Sequence, residues 1–268
     1  MADKRDTGVT VKKTALITGA SGGIGKEFAR IFGREGYDLV LVARSEAALK
    51  DLANELEREY GAAATVIPSD LSASGAAETL FKKTAELGIA VDVLVNNAGF
   101  SVSGAFVETD AKSHQEMLEL NVVALTALTR LYLPAMVAKG SGGVINLASV
   151  GSFFPAPYLA GYCASKAYVL SFSEAIAEEL AGTGVTVTAL CPGPTKTGFA
   201  SRAGIESSSM FQGRTLDARG VAEMGYRGFT REKRVVITGL GYKLVVFSGR
   251  FSPRDLIVKI AKAMMRSA

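Results

Sequence analysis

The stretch ALITGASGGIGKEFARIFGRE, residues 15–35, decides the fold. Its first four residues predict a strand, Ala15–Thr18, and from Ile24 to Glu35 apolar residues recur three and four apart, which predicts a helix. Between them lies the glycine-rich turn TGASGGIG, Thr18–Gly25. Set between a strand and a helix, such a turn lets the backbone approach a pyrophosphate while amide donors and the helix dipole attract the anion. Gly19, Gly23 and Gly25 carry the spacing, and Ser21, Gly22 and Ile24 complete the candidate cradle. A glycine loop alone is also a tight turn; its place in a strand–loop–helix unit is what favours a dinucleotide.

The same alternation continues along the chain. Strands are expected at Leu39–Ala43, Thr65–Ile67, Val91–Asn96, Gly143–Ala148, Val185–Leu190 and Val235–Ile237, with helices at Glu46–Tyr60 and Leu71–Leu87. The fold class is therefore α/β, a doubly wound parallel sheet of about seven strands with helices on both faces. At 268 residues, without repeats or long linkers, one domain is expected over residues 14–238. An extension, residues 1–13, precedes it and a helical tail, residues 239–268, follows. Two helices, Ala111–Ala138 and Tyr158–Ala181, are apolar on more than one face, so they are expected to pack on the sheet and on another subunit of a homo-oligomer, a dimer or tetramer. Regularity fails from Pro194 to Asp217, and residues 194–230 are read as a substrate loop and lid.

Composition narrows the function. The chain is 48% hydrophobic and 21% charged with 29 glycines, as in a packed globular protein. A net charge of +4, without zinc-finger spacing, an RNP-like aromatic motif or a basic stripe, argues against nucleic acid. One histidine, His114, cannot build a histidine metal site or a Ser/His/Asp triad, so no metal is expected. Cys163 and Cys191 lie far apart and outside any CxxC pair, which fits reduced thiols. The charged N-terminus lacks the apolar core of a secretory signal and no uninterrupted apolar run approaches a membrane span, so a cytoplasmic protein is expected. In the tail, Ser252 is placed as N-cap, Pro253 at the first helical position, and Leu256, Ile260 and Met264 on one stripe. Docking of that helix on its own domain or a sister subunit is favoured over membrane-surface contact.

At the end of the second strand, LVLVARSEAAL (residues 39–49) offers Arg44 and Ser45 where an NAD enzyme would offer a carboxylate. A guanidinium binds a 2′-phosphate through paired charge-assisted bonds, so NADP(H) is favoured over NAD(H). The competing reading of Arg44 is a surface cap on a strand end. Asp70, followed by Leu71 in PSDLS, is placed either against the adenine amine or as a helix cap. In NNAG, residues 96–99, the small Ala98 and Gly99 leave room for adenine and ribose while Asn96 and Asn97 can fix the adjoining strand.

Tyr162 and Lys166, in YCASK, share one helix face. A free phenol has a pKa of about 10, and a neighbouring ammonium, joined by an oxidised nicotinamide, is expected to lower it. Ser149, at the end of the fifth strand, can donate to a substrate carbonyl, and Asn121, in LELNVVA, can hold a water or backbone group that links Lys166 to solvent. Each has a bland alternative: a chance YxxxK, a strand-end serine, a gap-filling asparagine. Their joint occurrence in this order favours chemistry.

Together TGASGGIG, NNAG, Asn121, Ser149, Tyr162, Lys166 and PGPTKT (Pro192–Thr197) resemble the short-chain dehydrogenase/reductase family in its classical form, from about Thr14 to Ile237. The resemblance implies a Rossmann fold, Tyr162 as proton donor or acceptor, Lys166 on the nicotinamide ribose, Ser149 orienting substrate and a relay through Asn121. It further implies that Pro192, Gly193, Thr195 and Thr197 face the nicotinamide end, although the proline and threonine of PGPTKT depart from many members and put the carboxamide contact in doubt. The tail is similar to a subgroup of 3-ketoacyl-type and other lipophilic carbonyl reductases. The expected activity is NADP(H)-dependent interconversion of a lipophilic ketone or aldehyde and its alcohol, a small-molecule substrate held by Phe100, Phe154, Tyr158 and Phe199, with Phe153, Pro155 and Phe211 nearby. The alternative is a non-enzymatic nucleotide sensor or scaffold, which has no need of a complete Asn, Ser, Tyr and Lys set.

Overall fold

A computed structural model describes residues 12–205 and 215–265. Strands β1 (Thr14–Thr18), β2 (Asp38–Ala43), β3 (Ala64–Pro68), β4 (Val93–Asn96), β5 (Gly142–Leu147) and β6 (Val185–Cys191) form one parallel sheet with Val235–Ile237. The seven strands run β3-β2-β1-β4-β5-β6 and then Val235–Ile237 at the edge. Each expected strand is present, with ends shifted by a residue or two. The order turns back between β1 and β4, and a crevice opens there beyond the strands' carboxyl ends.

Helices on both faces explain why the strands read as continuous apolar runs rather than alternating ones. On one face Ile17, Leu39 and Leu41 pack under Phe28 and Phe32 of α1 (Gly23–Arg34) and Leu49, Leu52 and Leu56 of α2 (Glu46–Tyr60). On the other, Leu16, Val40 and Leu94 meet Leu80 of α3 (Ala76–Glu86) and Leu128, Tyr132 and Met136 of a later helix. Burial of each such side chain contributes roughly 1.5–3 kcal/mol, so these two layers dominate the stability of the sheet.

Four expectations are corrected. The helix expected from Leu71 starts only at Ala76, because the Asp70 carboxylate accepts from the Ser72 amide at 3.0 Å and from its hydroxyl at 2.6 Å, holding a turn ahead of left-handed Gly75. The single helix expected over Ala111–Ala138 is α4 (Ala111–Leu118), a wide π turn (Glu119–Ala124) and α5 (Leu125–Lys139). This run is also long and apolar enough to cross a membrane by length and composition, contrary to the sequence reading, although Leu128, Tyr132 and Met136 face the sheet. The irregular segment after Pro194 contains two short paired strands, β7 (Thr195–Lys196) and β8 (Leu216–Asp217), and a short helix, α7 (Phe199–Ala203). Two-residue strands leave no periodicity to read; Phe211 lies outside the described residues.

The remaining helices are α6 (Ala160–Glu179), α8 (Ala218–Phe229), α9 (Leu240–Gly249) and α10 (Arg254–Met265). Ser252 does not cap α10: its hydroxyl donates to the Ser248 carbonyl at 3.0 Å, and the Pro253 carbonyl accepts the first helical bond, from Ile257 at 3.2 Å. The serine thus continues the α9 turn, leaving proline one position earlier than expected.

Candidate active site

The glycine turn closes onto NNAG. Asn97 donates its amide to the carbonyls of Thr18 at 2.8 Å and Gly19 at 3.2 Å, while the Thr18 hydroxyl accepts from the amides of Asn97 and Ala98, each at 3.0 Å. Gly19 is left-handed at φ +66°, and a Cβ on Gly25 would stand 2.4 Å from the Gly19 carbonyl oxygen. Both positions therefore need glycine for the turn to reach its shape. Asn96 turns inward instead, donating to Thr129 at 3.0 Å and Asn146 at 2.9 Å, so its role is structural.

Arg44 and Ser45 follow β2 at the rim. Ser45 caps α2 by accepting from the Ala48 amide at 3.4 Å, and the Arg44 side chain is exposed. Hydrogen bonds from Ser72 hold the Asp70 carboxyl below its ordinary pKa, with a smaller contribution from the Arg44 charge. Asp70 thus fixes its own turn and stands near the guanidinium that faces the same cleft.

Ser149 ends the strand region and begins the short 3-10 turn Val150–Phe153, its hydroxyl accepting from the Gly151 amide at 3.0 Å. Tyr162 and Lys166 project from α6 toward it, and the Lys166 ammonium stands 6.0 Å from the Tyr162 ring centre. That ammonium donates to the Leu147 carbonyl at 2.6 Å, and burial lowers its pKa to about 8. Burial likewise raises the Tyr162 phenol above its ordinary value, only partly opposed by a hydrogen bond with Ser149. The expected lowering by Lys166 is therefore corrected: among the protein's own groups desolvation wins. The neighbouring thiols are also pushed up by burial, Cys163 to about 11 and Cys191 to about 12, so both stay neutral.

Asn121, fully buried in the π turn, exchanges bonds with the Phe100 backbone: its amide donates to the carbonyl at 2.9 Å and its oxygen accepts from the Phe100 N–H at 3.2 Å. A Cβ on Gly99 would lie 2.8 Å from the Asn121 oxygen and 3.5 Å from the Lys166 nitrogen. The wide turn thus brings this asparagine behind Lys166, bound to a backbone group.

These parts surround one cavity of about 1140 Å³, larger than the roughly 300–1,000 Å³ of a usual ligand pocket. Every residue assigned to the cofactor lines it: Gly19, Ser21, Gly22, Gly23 and Ile24; Arg44, Ser45, Asp70 and Leu71; Asn97, Ala98 and Gly99; Tyr162 and Lys166; Pro192, Gly193, Thr195 and Thr197. Gly-shaped turns at one end and open volume fit a dinucleotide. Ser149, Phe100, Phe154 and Phe199 line it too. Tyr158 does not: its backbone is left-handed, φ +68°, its carbonyl accepts from Gly104, and it packs behind a cluster that includes the lining residues Leu159 and Phe199. Phe153 and Pro155 also stand outside the lining, as does Asn121. His114 bonds Thr109 at 2.7 Å, and among the described residues no cluster of three His, Cys, Asp or Glu could hold a metal ion.

Sequence reasoning missed the opposite wall. Tyr242, Val245, Ile257 and Ala261, from α9 and α10, face the cavity. Tyr242 lies so close over the Pro192–Gly193 turn that a Cβ on Gly193 would meet its ring at 2.4 Å, and Gly249 abuts Phe154 in the same way. Ile260 and Met264, two of the three residues on the expected tail stripe, line the cavity as well, so the stripe was read but not its destination.

A family model described as short chain dehydrogenase matches residues 13–206. The chain is similar to the ketoacyl reductase HetN of Nostoc sp., 35% identical over 181 residues, covering 68% of this chain and 63% of that protein. It is also similar to a very-long-chain 3-oxoacyl-CoA reductase of Pyrenophora tritici-repentis, 38% identical over 177 residues, covering 65% and 52%. The chain thus spans about half to two thirds of the length of these relatives. Among solved structures, a short-chain dehydrogenase from Sphingobium yanoikuyae in complex with NADPH is 34% identical with a TM-score of 0.80, covering 89% of this chain and 93% of that one. A 7beta-hydroxysteroid dehydrogenase reaches a TM-score of 0.84 at 28% identity, covering 93% and 96%.

Proposed function

The chain belongs to the short-chain dehydrogenase family, and on that premise we propose that it interconverts a lipophilic ketone or aldehyde and the corresponding alcohol with NADP(H). The observation that carries the reading is the meeting of Ser149, Tyr162 and Lys166 in the same cavity as the glycine turn. When bound, the dinucleotide supplies or accepts the hydride. The Ser149 hydroxyl and the Tyr162 hydroxyl stand together where a carbonyl oxygen would be received, and Tyr162 gives its proton as that oxygen gains charge. With its pKa raised, Tyr162 keeps the proton at neutral pH, which suits reduction. Lys166, its pKa lowered by burial to about 8 and its nitrogen anchored on Leu147, favours in its charged form the tyrosinate left behind. Asn121 fixes the Phe100 backbone.

Arg44 supports NADP(H) over NAD(H), since a guanidinium rather than a carboxylate follows β2. Phe100, Phe154, Phe199, Val245 and Ile257 support a lipophilic substrate, as do relatives named for ketoacyl and 3-oxoacyl-CoA reduction. The exposed Leu118, Val123 and Tyr168 beside α4–α6 support pairing with a second copy. The test is NADPH consumption with a panel of 3-oxoacyl thioesters and bulky ketones, with the alcohol product identified. Turnover on at least one is expected; tight NADPH binding with no turnover on any would favour the sensor or scaffold.

A further inference from the structure

The tail helices have a second side. While Tyr242, Val246, Ile257 and Ala261 turn inward, Leu240, Leu244, Phe247 and Phe251 follow at spacings of four, three and four and share an outward face, exposed by 79%, 69%, 61% and 77%. Leu256 on α10 is about half exposed and lies outside the cavity lining. Of the sixteen exposed large hydrophobic residues among those described, eight lie between residues 240 and 265; Val245, Ile260 and Met264 line the cavity, and the other five do not. Scattered exposed apolar residues are ordinary, but a concentration on two adjoining helices marks a contact surface.

Charge identifies the kind of surface. Residues 240–265 carry Lys243, Arg250, Arg254, Lys259 and Lys262 against a single acid, Asp255, a charge of +4 that equals the net charge of the whole chain. All five cations are exposed, and none forms an ion pair among the described residues, whereas Arg30 is held by Glu27 and Glu55, and Arg34 by Glu35 and Glu223. A second copy seated here by two-fold symmetry would bring one +4 face against another. An anionic lipid surface accepts both the apolar side chains and the cations around them. We propose that α9 and α10 seat this protein on anionic membrane surfaces, with the apolar face in the lipid interface and the cavity wall on the protein side. The seat does not depend on the redox reading.

The experiment is flotation of the full chain with vesicles of phosphatidylcholine and phosphatidylglycerol, and with vesicles of phosphatidylcholine alone. Co-flotation with the anionic vesicles, at least several-fold weaker with neutral vesicles and reduced by salt, is expected. A variant carrying L244E, F247E and F251E should lose flotation while NADPH binding and thermal unfolding stay as in the parent; one carrying K243Q, R250Q and K262Q should lose the preference for anionic vesicles. Absence of parent flotation, or equal flotation by the charge variant, overturns the proposal. So does light scattering that shows self-association abolished by the three glutamates, which would make a second copy the occupant.

Discussion

The two ends of the cavity are built from different materials. The cofactor end is backbone: the glycine turn, the NNAG amides and the strand ends of a sheet whose core is fully buried. The end proposed for the substrate is made of side chains from distant elements, Phe154 from the segment after Ser149, Phe199 from α7, and Tyr242, Val245 and Ile257 from the tail. A backbone site tolerates little change, because a Cβ at Gly25 would overlap a carbonyl oxygen. A side-chain wall can change shape while the fold remains, so the proposed function assigns cofactor binding to the first end and substrate choice to the second.

The broadest effect is expected where the ends meet. Reduction needs the neutral phenol of Tyr162 and alcohol oxidation needs its anion; since burial raises this pKa, the anion is scarce at neutral pH and increases with alkalinity. Pre-steady-state rates should show oxidation climbing, by up to about tenfold per pH unit, while reduction stays level through neutrality. Level oxidation would mean that another group takes the proton. Next, Gly25→Ala should weaken NADPH by about 1–3 kcal/mol, the usual cost of overpacking, in a titration of cofactor fluorescence; unchanged affinity would show that the turn yields. Arg44→Asp should cost NADPH a similar 1–3 kcal/mol, a lost charged hydrogen bond, and spare NADH, while equal loss for both would remove Arg44 from the 2′-phosphate. The smallest effect falls on the substrate wall: Tyr242→Ala should raise KM for a lipophilic ketone about fivefold, on the order of 1 kcal/mol, and leave NADPH affinity as it was. A loss shared with NADPH would erase the distinction between the two ends.

The same division explains what could be read from the sequence. Thr18–Gly25 and the Tyr162/Lys166 pair were legible because each depends on neighbours within one turn or one helix, whereas Asn97 finds its partners Thr18 and Gly19 only across the folded sheet. Asn121 was legible as a residue but its placement was not, since a π turn leaves no mark in helical periodicity. The tail was misjudged for a related reason: Ser252 and Pro253 resemble a helix start, yet the serine hydroxyl finds the Ser248 carbonyl across a bend that only the folded chain creates. Tyr158 stands behind the pocket lining, packed against a cluster whose members Leu159 and Phe199 reach the cavity in its place. The opposing effect of burial on the Tyr162 pKa was missed because charge can be counted along a sequence, whereas desolvation depends on the packing around the site.

Tyr162→Phe removes one oxygen and leaves the ring that packs beside Phe199. Measured on the same preparation, NADPH affinity should stay near that of the parent while ketone turnover falls by about 10²–10⁴-fold, the usual contribution of a positioned acid. Turnover within a few-fold of the parent would contradict the account, because the proton would then come from elsewhere.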